Sequence, residues 1–266
     1  MLLVAALYAL MPALWLLVSA TKDTGDLFGH PGFEFGSFNL FGNLKQLFTI
    51  DHGIYGRWLL NSVLYSVVGA FVSAMLSMLA GYAFDKYDFP GKEKLFGLVL
   101  LGVLVPATIT SLPTYLLFSK IGLVNTYWGV LLPSVVSPFG VYLARVFSEG
   151  YVPGEVLEAA RVDGAGELKI FGRIALPMLS PGLVTLFLFS FTASWNTFLL
   201  PLIMLSDQHL FPVTLGVYSY YTTTAQSPEF YPIVITGSLV AVLPLVVAFI
   251  SLQRFWRSGL TAGAVK

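Results

Sequence analysis

The sequence contains no cysteine, which excludes disulfides, thiolate nucleophiles and cysteine-based metal sites. Its three histidines, His30, His52 and His209, lie far apart in the chain and outside the long apolar blocks. Isolated loop histidines are usually polar surface, so we expect no metal site. The sequence also lacks a Gly-Lys-Ser/Thr phosphate-binding loop, and with it the usual strand–loop–helix device for holding ATP.

Charged residues are scarce. They make up 11% of the 266 residues, whereas a soluble globular protein carries roughly 25%. Apolar residues account for 56%. The 14 basic and 14 acidic residues cancel, which gives no indication of nucleic-acid binding. A surface this poor in charge predicts that a lipid bilayer surrounds most of the protein.

The apolar residues fall into six blocks, each long enough to cross a bilayer, which takes about 20 helical residues. Because backbone groups in hydrocarbon must be satisfied internally, and because the blocks do not alternate polar and apolar residues, we expect helices. The predicted fold class is an all-α polytopic membrane protein with six transmembrane helices. The predicted segments are TM1 1–20, an extracytoplasmic segment 21–57, a core 58–253 containing TM2 61–84, TM3 95–118, TM4 127–146, a loop 147–177, TM5 178–205 and TM6 233–252, and a tail 254–266.

The first block allows a second interpretation, as a signal peptide cleaved after Ser19-Ala20. No basic residue precedes the block, however, and this favours an uncleaved span. If the N-terminus is cytoplasmic, ten of the fourteen basic residues fall inside, counting Arg145 at the membrane edge, and four fall outside. Because basic residues collect on the cytoplasmic side, we predict that both termini and the loop 147–177 are cytoplasmic.

Charge is also absent from the central part of every block. A charge at the bilayer centre costs ~3 kcal/mol on insertion scales and is kept there for function. This absence argues against proton pumps, many ion-coupled carriers and membrane enzymes, so we predict no enzymatic activity. The polar residues that do enter a span are neutral. Four of them cluster in the fifth block, where they either line a path for a polar uncharged solute or hydrogen-bond between packed helices: Ser190, Ser194, Asn196 and Thr197.

Charge returns at helical spacing between the fourth and fifth blocks. Pro153 followed by Glu155 is typical of a helix start, and Asp163-Gly164 is typical of a helix end, because glycine accepts a left-handed conformation. We therefore predict a helix over 155–162, with weak support from Glu158 and Arg161 at i and i+3. Physical reasoning leaves two alternatives for this helix: it docks on a soluble partner, or it lies on the lipid headgroups.

A second helix is predicted from about Glu167, with an apolar stripe that includes Leu168 and Phe171, ending near Pro177. The spacing Glu158-Ala159-Ala160, three residues, Gly164, nine residues, Ile174, one residue, Leu176-Pro177 resembles the signature loop of binding-protein-dependent ABC importer permeases. Other stretches resemble the carbohydrate branch of that family, the maltose-type second permease subunit. These stretches are residues 82–92, 122–129, 194–196 and 259–266.

The resemblance implies a type I ABC importer permease fold in a bacterial or archaeal cytoplasmic membrane. It implies three protein partners: a homologous permease subunit, a cytoplasmic ATPase dimer and an extracytoplasmic solute-binding protein. It implies no cofactor in this chain, since the ATPase subunits bind the ATP, and it implies a sugar or oligosaccharide as solute. The residues that it assigns to ATPase coupling are Glu158, Ala159, Ala160, Asp163 and Gly164. The alternative function is an autonomous secondary carrier or channel for a polar neutral solute.

Overall fold

The computed structural model describes residues 1–262, with side chains described for residues 1 and 4–253. The predicted tail 254–266 therefore ends in four residues that lie outside the described part. Throughout residues 1–262 the regular secondary structure is helical, without a strand. This confirms the all-α prediction. The chain divides into two compact units, one formed by Met1–Ser62 and Ser206–Val247, the other by Val63–Leu205 and the residues from Ala248 onward.

Fifteen α-helices are defined over the described residues. The first unit contains α1 Leu2–Ala20, α2 Thr24–Gly29, α3 Leu40–Thr49 and α14 Val213–Thr223. Two long helices are divided between the units, α4 Ile54–Lys86 and α15 Phe230–Ala262. The second unit contains α5 Lys92–Leu104, α6 Ala107–Lys120, α7 Tyr127–Ser134, α8 Pro138–Tyr151, α9 Gly154–Val162, α10 Glu167–Ile170, α11 Leu176–Met178, α12 Ser180–Trp195 and α13 Leu199–Met204. A π-helical turn, Phe171–Ala175, joins α10 to α11.

Three stretches are long and apolar enough to cross a membrane, namely Leu40–Lys86, Tyr127–Tyr151 and Phe230–Gln253. Two bent helix pairs raise the number to five if each pair is one span. In α1, the stretch Val4–Ala20 is apolar but shorter than these three. Candidate membrane-spanning helices are thus present, while the predicted count of six stays a prediction.

The third predicted span is not one straight helix. α5 and α6 meet at an angle of 102°, with Val105 extended between them. Pro106 explains the break, because proline disfavours a helical conformation in the residue before it. The fourth predicted span is likewise interrupted after Ser134 and restarts at Pro138, whose missing N–H is not needed in a first helical turn.

The core of the first unit is aromatic. Trp58 is 1% exposed, packs against Tyr220 with ring centroids 4.8 Å apart, and donates from Nε1 to the Gln208 carbonyl over 2.8 Å. Gly216 is required beside it, because a Cβ there would overlap the indole. Ser62 Oγ accepts a 2.7 Å hydrogen bond from the Val213 N–H. The residues before α14 are thus fixed onto the first turns of α4.

The core of the second unit is built on small residues that let helices approach closely. Ala144 on α8 is fully buried, and a Cβ added to Gly81 on α4 would lie 2.5 Å from its Cβ. Around this contact the buried cluster includes Met78, Tyr82 and Leu186. The same cluster continues into the predicted loop, so the loop is part of the packed unit.

Candidate functional site

The helix predicted over 155–162 is confirmed as α9, Gly154–Val162. It ends as the Asp163-Gly164 pair predicts, because Gly164 is left-handed at φ 79°. The Gly164 N–H donates to the Arg161 carbonyl and the Ala165 N–H to the Ala160 carbonyl, each over 3.0 Å. This pattern is a Schellman motif, which satisfies the last carbonyls of a helix.

The two faces of α9 differ in burial. Leu157 is 2% exposed and Ala160 is 7% exposed, and both belong to the buried cluster of the second unit. Glu158 and Ala159 are exposed on the outer face. Of the five residues assigned to coupling, Ala160 therefore faces inward as packing, while Glu158, Ala159, Asp163 and Gly164 are accessible.

Two large apolar side chains extend the outer surface of the loop. Val162 is 88% exposed and Leu168 is 90% exposed. Leu168 was predicted to share an apolar stripe with Phe171, but the structure divides them: Phe171 packs against the buried cluster, with its ring 5.1 Å from that of Tyr82. Val162 lies three residues after Ala159 and so shares its face of α9, where its exposed side chain adds an apolar contact.

An ion pair closes the turn between α9 and α10. Arg161 Nε donates to Glu167 Oε1 over 2.8 Å, and Arg161 Nη2 donates to Oε2 over 3.4 Å. The expected pairing of Arg161 with Glu158 is therefore wrong. The turn at Gly164 reverses the chain and brings Glu167 back to the Arg161 guanidinium. Arg161 therefore pairs with Glu167 instead of Glu158, which lies one helical turn away.

Glu167 also receives a hydrogen bond from outside the loop. Tyr87 Oη, one residue beyond α4, donates to Glu167 Oε2 over 2.8 Å. The hydrogen bonds from Arg161 and then from Tyr87 hold the pKa of the Glu167 carboxyl below its usual value. Burial, followed by the bond to Glu167, raises the pKa of Tyr87, so this phenol remains a donor at neutral pH.

A second contact joins α4 to the start of the loop. Lys86 Nζ donates to the Val152 carbonyl over 2.6 Å and lies 2.8 Å from Asp85 Oδ2. We call the two connections together the α4 clamp: the bond from Lys86 to Val152, and the bond from Tyr87 to Glu167, which in turn accepts from Arg161. None of these residues is among the predicted coupling residues. Of these residues, Glu167 is the one whose role has a signal in the sequence: it is a carboxylate six residues after Arg161, on the other side of a glycine turn.

The polar cluster of the fifth predicted span is split by the end of α12. Ser190 Oγ and Ser73 Oγ are 3.4 Å apart, and Ser194 Oγ donates to the Tyr65 carbonyl over 3.2 Å. Both serines thus bond to α4, as in the helix-packing interpretation. Asn196 is the C-cap of α12 and is exposed, with Nδ2 donating to the Thr192 carbonyl over 2.8 Å.

Thr197 lies beyond the end of α12, so it does not share a helical face with Ser190 and Ser194. Gly69 lies where α4 approaches α7 and α12: a Cβ there would be 2.6 Å from Ser134 Oγ and 3.8 Å from Ser194 Oγ. The structure therefore brings Ser190 and Ser194 together on one helix contact and leaves Asn196 and Thr197 at the helix end.

Comparison with known proteins gives a consistent set of relatives. The family model described as "Binding-protein-dependent transport system inner membrane component" matches residues 8–258. The arabinooligosaccharides transport system permease protein AraQ of Halalkalibacterium halodurans is 38% identical over 224 residues, covering 84% of this chain and 78% of AraQ. The lactose transport system permease protein LacG of Rhizobium radiobacter is 32% identical over 262 residues, covering 98% of this chain and 93% of LacG.

A solved structure has the same fold. A chain from the crystal structure of a bacterial ABC transporter involved in the import of the acidic polysaccharide alginate superposes with a TM-score of 0.81. The superposition covers 95% of this chain and 92% of that chain, at 18% sequence identity.

Proposed function

Because the chain belongs to the family of binding-protein-dependent transport system inner membrane components, we propose that it is the permease subunit of an ATP-driven importer for a sugar or oligosaccharide. The solute class follows the relatives, whose names refer to arabinooligosaccharides and lactose. The partners are a homologous permease, a cytoplasmic ATPase dimer and an extracytoplasmic solute-binding protein. The protein lies in a bacterial or archaeal cytoplasmic membrane with six spans and both termini inside.

The observation that carries the coupling proposal is the outer face of α9. Glu158 and Ala159 are exposed there, next to Val162, which is 88% exposed. A helix of this kind offers a carboxylate for pairing, a small residue for close approach and an apolar contact. These are the features that a groove on an ATPase subunit would bind. The residues of the coupling element are Glu158, Ala159, Ala160, Asp163 and Gly164.

The buried face of α9 supports a mechanism for transmission. Leu157 and Ala160 are packed into the cluster that also contains Met78 and Tyr82 of α4. When the ATPase subunits close on ATP, a displacement of α9 is passed to α4 through this packing and through the α4 clamp. Packed interfaces switch between discrete arrangements rather than deform continuously, so the displacement alternates the access of the solute path.

The proposed solute path lies near the end of α12. Four neutral residues near the end of α12 are proposed to line it: Ser190, Ser194, Asn196 and Thr197. Since Ser190 and Ser194 hydrogen-bond to α4, their contribution is to hold the wall of the path. Asn196, exposed at the helix end, offers an amide to a sugar hydroxyl.

The coupling proposal is tested by reversing the charge of Glu158. Glu158→Lys should reduce co-purification of the ATPase and ATP-dependent sugar uptake into proteoliposomes, because a lysine meets the groove where a carboxylate bound. Glu149→Lys is the matched control, since Glu149 is exposed on α8 in the same predicted loop. Unchanged co-purification and uptake in Glu158→Lys would contradict the coupling role. Sugar uptake by the chain without ATPase subunits would favour an autonomous carrier instead.

A further inference from the structure

Six phenylalanines are exposed within a stretch of 21 residues between α1 and α4. They are Phe28 at 67%, Phe33 at 54%, Phe35 at 70%, Phe38 at 65%, Phe41 at 76% and Phe48 at 44%. Four of them lie between α2 and the first turn of α3. We call these four the phenylalanine surface: Phe33, Phe35, Phe38 and Phe41. Glu34 is the only charged residue between Phe33 and Phe41. Exposed apolar surface of this extent marks a contact with a partner or a membrane.

The loop that carries this surface is closed by its own hydrogen bonds. Asp26 Oδ2 accepts from both the N–H and the Oγ of Ser37, each over 2.6 Å. Lys22 is 1% exposed, and its Nζ donates to the Pro31 carbonyl over 2.8 Å. The phenylalanines are therefore presented from a folded loop.

The same loop is fastened to the end of α1. Asn43 Nδ2 donates to the Ala20 carbonyl over 2.9 Å and to the Lys22 carbonyl over 2.8 Å. The Asn39 N–H donates to the Thr21 carbonyl over 2.7 Å. These bonds satisfy carbonyls at the end of an apolar helix and fix where the loop begins and ends relative to it.

The tip of the loop turns back along α1. A Cβ on Gly32 would lie 2.6 Å from Trp15 Nε1, so the backbone at Gly32 packs directly on this indole. Trp15 lies five residues before the last residue of α1, and at 1.5 Å per residue that is about 7.5 Å below the helix end. Segments that lie in the headgroup–acyl boundary are buried by ~5–10 Å, and tryptophan is enriched at that level. With the end of α1 at the bilayer surface, where the predicted span 1–20 ends, the loop tip lies within this range of depth.

We propose that the phenylalanine surface inserts into the headgroup–acyl boundary of the bilayer, so that the loop 23–39 anchors the outer end of α1 to lipid. The chemistry favours lipid over a protein partner, because a protein interface carries about one hydrogen bond per 100–200 Å², whereas these four side chains offer only apolar rings. Phenylalanine is also typical of the lipid-facing side of segments that lie in the headgroup–acyl boundary. Which leaflet they enter follows the proposed orientation of the chain, but contact with lipid does not depend on that orientation.

The absence of cysteine simplifies the test, since a single-cysteine variant carries one labelling site in this subunit, and the parent complex gives the background from the other subunits. The full chain with its co-purified subunits is reconstituted in phosphatidylethanolamine–phosphatidylglycerol vesicles, with a nitroxide on Phe35→Cys. Collision rates with oxygen and with a water-soluble nickel complex are measured by electron paramagnetic resonance. Leu10→Cys, 56% exposed on α1, is the apolar reference, and Gln226→Cys, exposed beyond α14, is the aqueous reference.

We expect the label at residue 35 to favour oxygen over nickel severalfold more than the label at residue 226, and to report a depth between the two references. Phe38→Cys should give the same result. Nickel accessibility at both positions equal to that at residue 226 would overturn the proposal. Shielding that arises only after a solute-binding protein is added would assign the surface to protein docking and would also overturn it.

Discussion

The hydroxyl of Tyr87 donates a 2.8 Å hydrogen bond to Oε2 of Glu167, which joins the residue after α4 to the first turn of α10. The two residues are 80 positions apart in the chain. Because Arg161 on α9 grips the other oxygen of the same carboxylate, Glu167 connects three segments at once. A movement imposed on α9 therefore reaches the end of α4 through one side chain.

Removing the phenol hydroxyl should weaken coupling without unfolding the loop. Tyr87→Phe deletes the hydrogen bond to Glu167 but keeps the ring, and the Arg161–Glu167 pair remains. If the α4 clamp transmits closure, sugar uptake per ATP hydrolysed should fall severalfold in proteoliposomes. Tyr151→Phe is the control, since it removes a hydroxyl from α8 in the same unit. An unchanged ratio of uptake to hydrolysis in Tyr87→Phe would show that the clamp is only structural.

Gly164 should be more sensitive to substitution by alanine than Gly166. Gly164→Ala places a side chain at φ 79°, and the left-handed conformation costs about 1–2 kcal/mol for such a residue. A Cβ at this position meets nothing within 4 Å, so the cost is conformational rather than steric. Gly166→Ala is the matched control, because Gly166 has φ −71° and an equally open surrounding.

The pair is compared by thermal unfolding in detergent and by ATPase co-purification. We expect Gly164→Ala to unfold at a lower temperature than both the parent and Gly166→Ala, whose change at the N-cap of α10 involves no left-handed residue. Equal stability of the two variants would mean that the left-handed turn is not maintained in the protein.

The contribution of Glu167 to the stability of the folded protein should fall as the pH is lowered. Its carboxyl pKa is lowered in the folded protein, chiefly by the hydrogen bond from Arg161, so the unfolded chain binds the proton more readily. The stabilisation is therefore fully present above the ordinary carboxyl pKa of about 4.3 and is lost as pH falls through the lower folded value. The difference in unfolding temperature between the parent and Glu167→Gln should narrow as pH is reduced from 6 to 3. A difference that widens on acidification would contradict the assigned hydrogen bonds.

What could be predicted from sequence was local. The bounds of α9 and the left-handed Gly164 follow from residues within one or two turns of each other, and both predictions are confirmed. Partner choice was not local. Arg161 has Glu158 at ideal helical spacing, yet it pairs with Glu167 because the turn between them sets a shorter approach. Tyr87 could not be found from any spacing rule, because its partner comes from another part of the fold.

The spans show the same division. Apolar composition predicts where the chain enters lipid, but not where a helix bends inside an apolar block. Pro106 accounts for the break, but no spacing in the sequence specifies the angle of 102° between α5 and α6. Similarly, Trp58 lies near the predicted start of the second span, as an interfacial residue would, but packing against Tyr220 buries it.

The helix end at Asn196 offers the sharpest test of the solute path. Asn196→Leu removes the only amide at the C-cap of α12, and because the side chain is exposed, the subunits should still assemble. If this amide binds a sugar hydroxyl during passage, uptake should fall several-fold while ATPase co-purification is unchanged. Asn196→Gln, which keeps the amide on a longer chain, should recover part of the activity.

Ser194→Ala tests whether Ser194 stabilises the contact between α12 and α4 or contacts the solute. Ser194 donates to the Tyr65 carbonyl, so its replacement should lower the free energy of unfolding by about 0.6 kcal/mol, the amount typical of an interhelical hydrogen bond in a membrane. Uptake by the molecules that remain folded should be close to that of the parent. If Ser194→Ala impairs uptake more than Asn196→Leu does at equal stability, the serine face of α12 would be the one that contacts solute, and the assignment of Asn196 would be wrong.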